Sequence, residues 1–317
     1  MKPSIVSALV SCLLFAPMIA SAQFAYASNE KDGTISVIDT AKDEVVGSIK
    51  AGRTPRGMAV GADGKRIYVS DQKSNALRII DLASREAAGS IDLGESPEGV
   101  GRSPDGQWIA VAIEEDHQVL FVDTATNKVT FKVKVEGENP EHAVFSPDGK
   151  WVFVSAEESQ VVDVIDMAER KLAGSIRVGK RPRGIGFTPD GTRAYVACEI
   201  ANTVYAIDVA GRKVLATIPA GGRSNGVKMH PSGKEVYVSN GADGTVMVID
   251  TATNKVVQTI KVGNRPWNMA LTSDGAKLYV ANGRSNTVSV IDTASRKELR
   301  QIRVGEQPWG VVIPGGH

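Results

Sequence analysis

The stretch KLYVANGRSNTVSVIDT, residues 277–293, decides the fold. Leu278-Tyr279-Val280 and Thr287-Val288-Ser289-Val290-Ile291 are β-formers separated by a Gly/Asn/Ser-rich turn, and the second run closes on Asp292. β-branched and aromatic residues suit a pleated, half-buried surface, whereas Gly, Asn and Ser suit turns. The same closing Asp recurs at Asp39, Asp81, Asp123, Asp166, Asp208 and Asp250, always 42 or 43 residues from the last. Gly52, Gly94, Gly137, Gly179, Gly221, Gly263 and Gly305 keep step with it. So do Pro55, Pro97, Pro140, Pro182, Pro266 and Pro308, with Ser224 in the one missing place. Asp-Gly turns at 63–64, 105–106, 148–149, 190–191 and 274–275, and Ser232-Gly233, fill a fourth column.

Each unit reads as four short strands, in the second copy 58–61, 66–70, 76–81 and 86–93, with Asp63-Gly64 as a hairpin turn. A four-strand repeat of this length is a propeller blade. The expected fold is therefore all-β: a seven-bladed β-propeller of four-stranded antiparallel blades. The chain starts on a second strand (Phe24 to Ser28) and finishes on a first strand (Trp309 to Ile313). The ring is thus predicted to close by pairing the C-terminal strand with the N-terminal blade, which removes an exposed edge. The chain has 317 residues, 42% of them hydrophobic, with 32 Gly and 14 Pro, which excludes disorder and collagen and fits a turn-rich domain.

Residues 1–22 read as a signal peptide, with Lys2 before an apolar run and Ala20-Ser21-Ala22 as the cleavage site. Residues 23–317 then form a single domain, expected in the periplasm as a monomer without a membrane span. Cys198 would be its only cysteine, so no intrachain disulfide is expected. Lys2 is the leader's one ionised side chain, and 37 Lys+Arg face 36 Asp+Glu in the whole chain, so the domain is formally neutral. No nucleic-acid partner is expected from that balance.

The run 277–293 resembles the YVTN-type β-propeller repeat, over essentially all of 24–313. Ser28-Asn29-Glu30-Lys31-Asp32-Gly33 and Pro308-Trp309-Gly310-Val311-Val312 are further similar to a periplasmic branch associated with PQQ-dependent alcohol catabolism. The resemblance implies a secreted binding or accessory protein and brings no catalytic residues. Quinone-dependent dehydrogenases are propellers of eight blades with a recurrent Trp motif, which Trp108, Trp151, Trp267 and Trp309 do not follow.

Function is sought where the copies differ inside a fixed frame. The residue after the Pro column is Arg56, Glu98, Glu141, Arg183, Asn225, Trp267 and Trp309. The next is Gly except at His142 and Asn268, and the preceding segments add Glu95, Glu138, Lys180, Arg181, Arg223 and Arg265. These segments should ring the channel mouth, with an acidic arc (Glu95, Glu98, Glu138, Glu141) and a basic arc flanked by Trp267 and Trp309. Guanidinium forks beside indole faces suit a planar, carboxylate-bearing ligand. The bland alternative is that neighbouring blades pair opposite charges on a wet face. The expected function is a non-enzymatic module whose mouth binds a small anionic ligand or a periplasmic protein, with no cofactor. The alternative is a lactonase-like hydrolase or lyase at the same mouth, for which His142 or Glu141 would have to converge with Arg183.

Three further readings are bland. The seven closing Asp residues are expected to fix Asx-type turns. Tyr68, Tyr195, Tyr237 and Tyr279 are expected in the core and Cys198 as an inert small residue. His117 and His142 lie near Glu114, Glu115, Asp116, Glu157 and Glu158 on expected loops of one face, but without tight ligand spacing, so no metal is expected.

Overall fold

The computed structural model describes residues 23–316, in which 28 strands form seven four-stranded antiparallel sheets. The leader assigned to residues 1–22, and the terminal His317, lie outside the described residues. Among the described residues the only helical element is a single 3-10 turn, Gln72–Ser74, and no helix is long and apolar enough to cross a membrane.

Blade one consists of Pro308–Val312, Phe24–Asn29, Thr34–Asp39 and Glu44–Lys50, in that order. The chain ends are thus joined inside one sheet, where Tyr26 pairs with Val312, Ala27 with Val311 and Ser28 with Gly310. The first strands of blades two to seven are Pro55–Val60, Pro97–Arg102, Pro140–Phe145, Pro182–Phe187, Ser224–Met229 and Pro266–Leu271. They line the channel, while the fourth strands form the rim and expose most of their residues.

Blades pack face to face through alternating apolar side chains, as in the cluster of Phe153, Val164, Ile176, Phe187, Val196 and Ile207 between blades four and five. Around the channel the backbones approach more closely than side chains would allow. A Cβ on Gly99 would lie 2.5 Å from the carbonyl of Glu141. Five of the seven positions in that column of the inner strands are glycine, which keeps such contact possible; His142 and Asn268 occupy the other two.

All seven closing Asp residues accept backbone N–H bonds from the following turn, for example Asp81 from Ala83 and Ser84 and Asp166 from Ala168 and Glu169. The tyrosines are buried as expected. They also join blades: Tyr68 donates to Asn127 at 3.1 Å and Tyr195 to Asn254 at 2.7 Å. Tyr279 donates to Asp43 across the closing seam.

Candidate functional site

The first strand of each blade begins at the Pro column, three residues earlier than the alternation of 58–61 suggested. In blade two its pairing with the second strand shifts register between Pro55 and Met58, and the other blades repeat the irregularity. Such bulges re-aim side chains. Here the residue after the Pro is carried to the channel mouth. One cavity of about 210 Å³ there gathers Arg56, Glu141, Arg183, Asn225, Arg265, Trp267, Asn268 and Trp309, together with Glu30 and Gln307.

The two expected arcs are not electrically separate. Arg183 bonds Glu141 at 2.6 Å and Glu199 at 3.0 Å, and also contacts Glu157. Arg56 bridges Glu98 and Glu30, the latter at 2.9 Å. Arg181 reaches Glu157 at 2.8 Å, and Arg265 reaches Glu199 at 2.8 Å. The cause is a second column that the sequence reading left out. Directly after the second strand of each blade stand Glu30, Gln72, Glu114, Glu157, Glu199, Gly241 and Gly283. Each sits below the mouth because its backbone N–H donates to the residue before the Pro column, as Glu199 does to Arg181 at 2.8 Å. The same 42-residue register that revealed the mouth residues would have revealed this column.

That column also makes the mouth asymmetric. Acids occupy it in blades one, three, four and five, but blades six and seven have glycine. A Cβ on Gly283 would lie 2.8 Å from the Trp267 ring, and one on Gly241 would lie 3.0 Å from Arg265. The glycines therefore leave room for those two side chains, and the Arg265 guanidinium stands 5.8 Å from the Trp267 ring centroid. Beside them Arg223, Arg265 and Arg284, with Gly241, Ala242 and Asn264, line a hollow of about 450 Å³. Glu199 is the acid paired with these guanidiniums, 2.8 Å from Arg265 and 3.6 Å from Arg223.

Burial, together with the nearby Glu141 charge, pushes the Glu157 carboxyl up to about 8. Burial acts the same way on Glu141, but Arg183, His142 and Arg56 outweigh it and hold that carboxyl at about 2. Burial and Glu141 also raise Glu98 well above the usual carboxylate range. The carboxylates and guanidiniums of the mouth are matched in number, so protonating one carboxyl leaves positive charge in excess.

His142 is not on a loop. It stands on the channel-lining strand Pro140–Phe145 and stacks across the axis on Trp309, ring centroids 5.7 Å apart and 16° from parallel. Neither ring nitrogen has a hydrogen-bond partner, and burial lowers its basicity. His117 accepts a backbone bond from Asn139. Among the described residues no group of three His, Cys, Asp or Glu converges as a metal site. Cys198 is buried, which pushes its thiol up to about 12.

The fold and mouth define a seven-bladed β-propeller with a charged, Trp-flanked channel entrance, and the comparisons agree on the class. A family model described as "Lactonase, 7-bladed beta-propeller" matches residues 166–303, and one described as "YNCE-like beta-propeller" matches residues 16–108. A search of curated proteins found no match. Among solved structures, hydrazine synthase of Kuenenia stuttgartiensis is 25% identical, covering 85% of this chain and 92% of that one, with a TM-score of 0.78. A functionally unknown protein of Desulfotomaculum acetoxidans is 19% identical (92% and 99% covered, TM-score 0.81). The dihydro-heme d1 dehydrogenase NirN is 14% identical (96% and 78% covered, TM-score 0.70) and shares the fold alone.

Proposed function

We propose that the protein is a binding module whose channel mouth holds a small organic anion over blades six and seven. The observation that carries this is the loss of counter-acids there: Gly241 and Gly283 stand where four of the other five blades have Glu, and Arg223, Arg265 and Arg284 face one hollow. Trp267 supplies an apolar face on which a planar group stacks, and the guanidiniums bind its carboxylate in a fork. The proton on Glu157 adds to the attraction. A thermal-shift panel of small aliphatic and aromatic acids tests it. Aromatic acids should raise the melting temperature of the wild type and do so much less in Trp267→Ala. A panel without any stabilising acid would refute the reading. Periplasmic location, and a place beside quinoprotein alcohol oxidation, belong to the same proposal and follow from the resemblance. Co-purification with a quinoprotein from periplasmic extract tests that part.

A second reading, lactone hydrolysis at the same mouth, is favoured by the lactonase family match over residues 166–303 and by Glu141 and Glu157 lying on one guanidinium with opposed proton affinities. In that reading Glu141, ionised, takes a proton from the attacking water, and Glu157, protonated, gives one to the ring oxygen that leaves. Turnover of a lactone panel, lost in Glu157→Gln, would support it.

A further inference from the structure

Beneath the His142–Trp309 stack the channel continues as a second cavity of about 200 Å³, lined by His142, Val144, Ile185 and Lys228 among others. Val144, Ile185 and Lys228 also line a hollow of about 310 Å³ toward the opposite face, where Phe187 and Met229 add apolar wall. Lys228 stands apart from every other cation near the axis. The guanidiniums Arg56, Arg183 and Arg265 all hold carboxylates, whereas Lys228 makes no ion pair among the described residues. Lys228, on the inner strand Ser224–Met229, lines both spaces, whose other walls are mainly apolar apart from His142 and Asn268 above and His230 below. Lys228 is only partly exposed, and an ammonium partly withdrawn from water without a counter-ion is unfavourable, so burial alone lowers its basicity here. A ligand that supplied one negative charge and an apolar tail would satisfy both features at once.

We propose that this lower channel is a second binding site, separate from the mouth, for an amphipathic carboxylate with its head on Lys228 Nζ and its aliphatic chain against Val144, Ile185, Phe187 and Met229. Size sets the class, since the hollow sits at the lower end of the roughly 300–1,000 Å³ of small-molecule sites. That admits a short to medium aliphatic acid and excludes a folded peptide. The inference does not depend on the mouth reading, because the His142–Trp309 stack lies between the two cavities.

Isothermal titration with octanoate, octanol and acetate tests it on the full domain. Octanoate should bind with one site per chain, and octanol and acetate, each lacking one half of the recognition, should bind at least about tenfold more weakly. Lys228→Met should weaken octanoate about tenfold or more, as expected for the loss of a charge-assisted bond, and Lys228→Arg should restore most of it. Removing an unpaired charge is not expected to unfold the protein, and the Arg variant guards against that case. Octanoate that fails to bind the wild type, or that binds Lys228→Met as well as the wild type, would overturn the proposal.

Discussion

Glu141 and Glu157 belong to the same blade, share Arg183, and are driven in opposite directions by it and by burial. The pair titrates as a unit, and its effect on stability has a definite sign. An unperturbed carboxyl ionises near 4.5, whereas Glu157 keeps its proton to about 8 in the folded chain. Between those values the folded state holds the extra proton. Its contribution is therefore full below 4.5 and lost as pH rises through about 8. Glu141, held at about 2, contributes above 4.5 and loses that contribution as pH falls toward 2. The wild type's melting temperature should decline as pH rises to about 8, and Glu157→Gln should flatten that decline; an unchanged slope would show that Glu157 is ordinarily ionised. Arg183→Met should be far more harmful, by about 3–5 kcal/mol, because it strands buried carboxylates without a partner. Urea unfolding measures it. The residues of the Pro column were legible because they vary inside a fixed repeat. Their counter-charges stand in the same register, at Glu157 and Glu199, but that they reach the mouth is set by strand-end hydrogen bonds between neighbouring strands, which the repeat does not display.

Strand order and length follow from alternation and turn chemistry, which is why four strands per unit could be read from residues such as Ile67-Tyr68-Val69 and Asp63-Gly64. The bulge at each Pro was not readable. It arises from pairing between first and second strands, a tertiary property. The tyrosine column shows the same limit: its burial was expected from residue type, but its bonds to the next blade were not. Tyr195→Phe removes a neutral bond to Asn254 and a long one accepted from Arg193 at 3.4 Å, and should cost about 1 kcal/mol. Tyr279→Phe removes a bond to the carboxylate of Asp43, which Lys277 also holds at 2.7 Å, and should cost more, about 1.5–3 kcal/mol. Equal midpoints for the two variants in urea would show that the closing seam is no stronger than the others. The exposed fourth strands carry apolar residues such as Val45, Val46 and Leu299. They are protected as sheet edges by lysines at their ends, among them Lys50, Lys128, Lys134 and Lys297, and by a register shift against the third strand.

As a whole the molecule is a ring whose ends meet in blade one, reinforced by Lys31 with Glu306 at 2.9 Å and by the backbone bond from Glu30 to Gln307. Deleting 307–317 removes the buried Val311 and Ile313, whose burial is worth about 1.5–3 kcal/mol each, and leaves the Phe24–Asn29 strand as an unpaired sheet edge. Its melting temperature should fall steeply, and an unchanged value would contradict closure at that seam. The net charge of +1 over the whole chain hides the feature on which the proposed function rests, the arc over blades six and seven where guanidiniums outnumber their acids. Calorimetric titration of benzoate into the wild type and into Arg284→Gln tests that arc most directly, since Arg284 is exposed and holds no structural ion pair among the described residues. The account predicts saturable binding that weakens about tenfold in the variant, the effect of one charge-assisted bond, and that fades as pH passes about 8. No saturable binding, or equal affinity in both proteins, would contradict it.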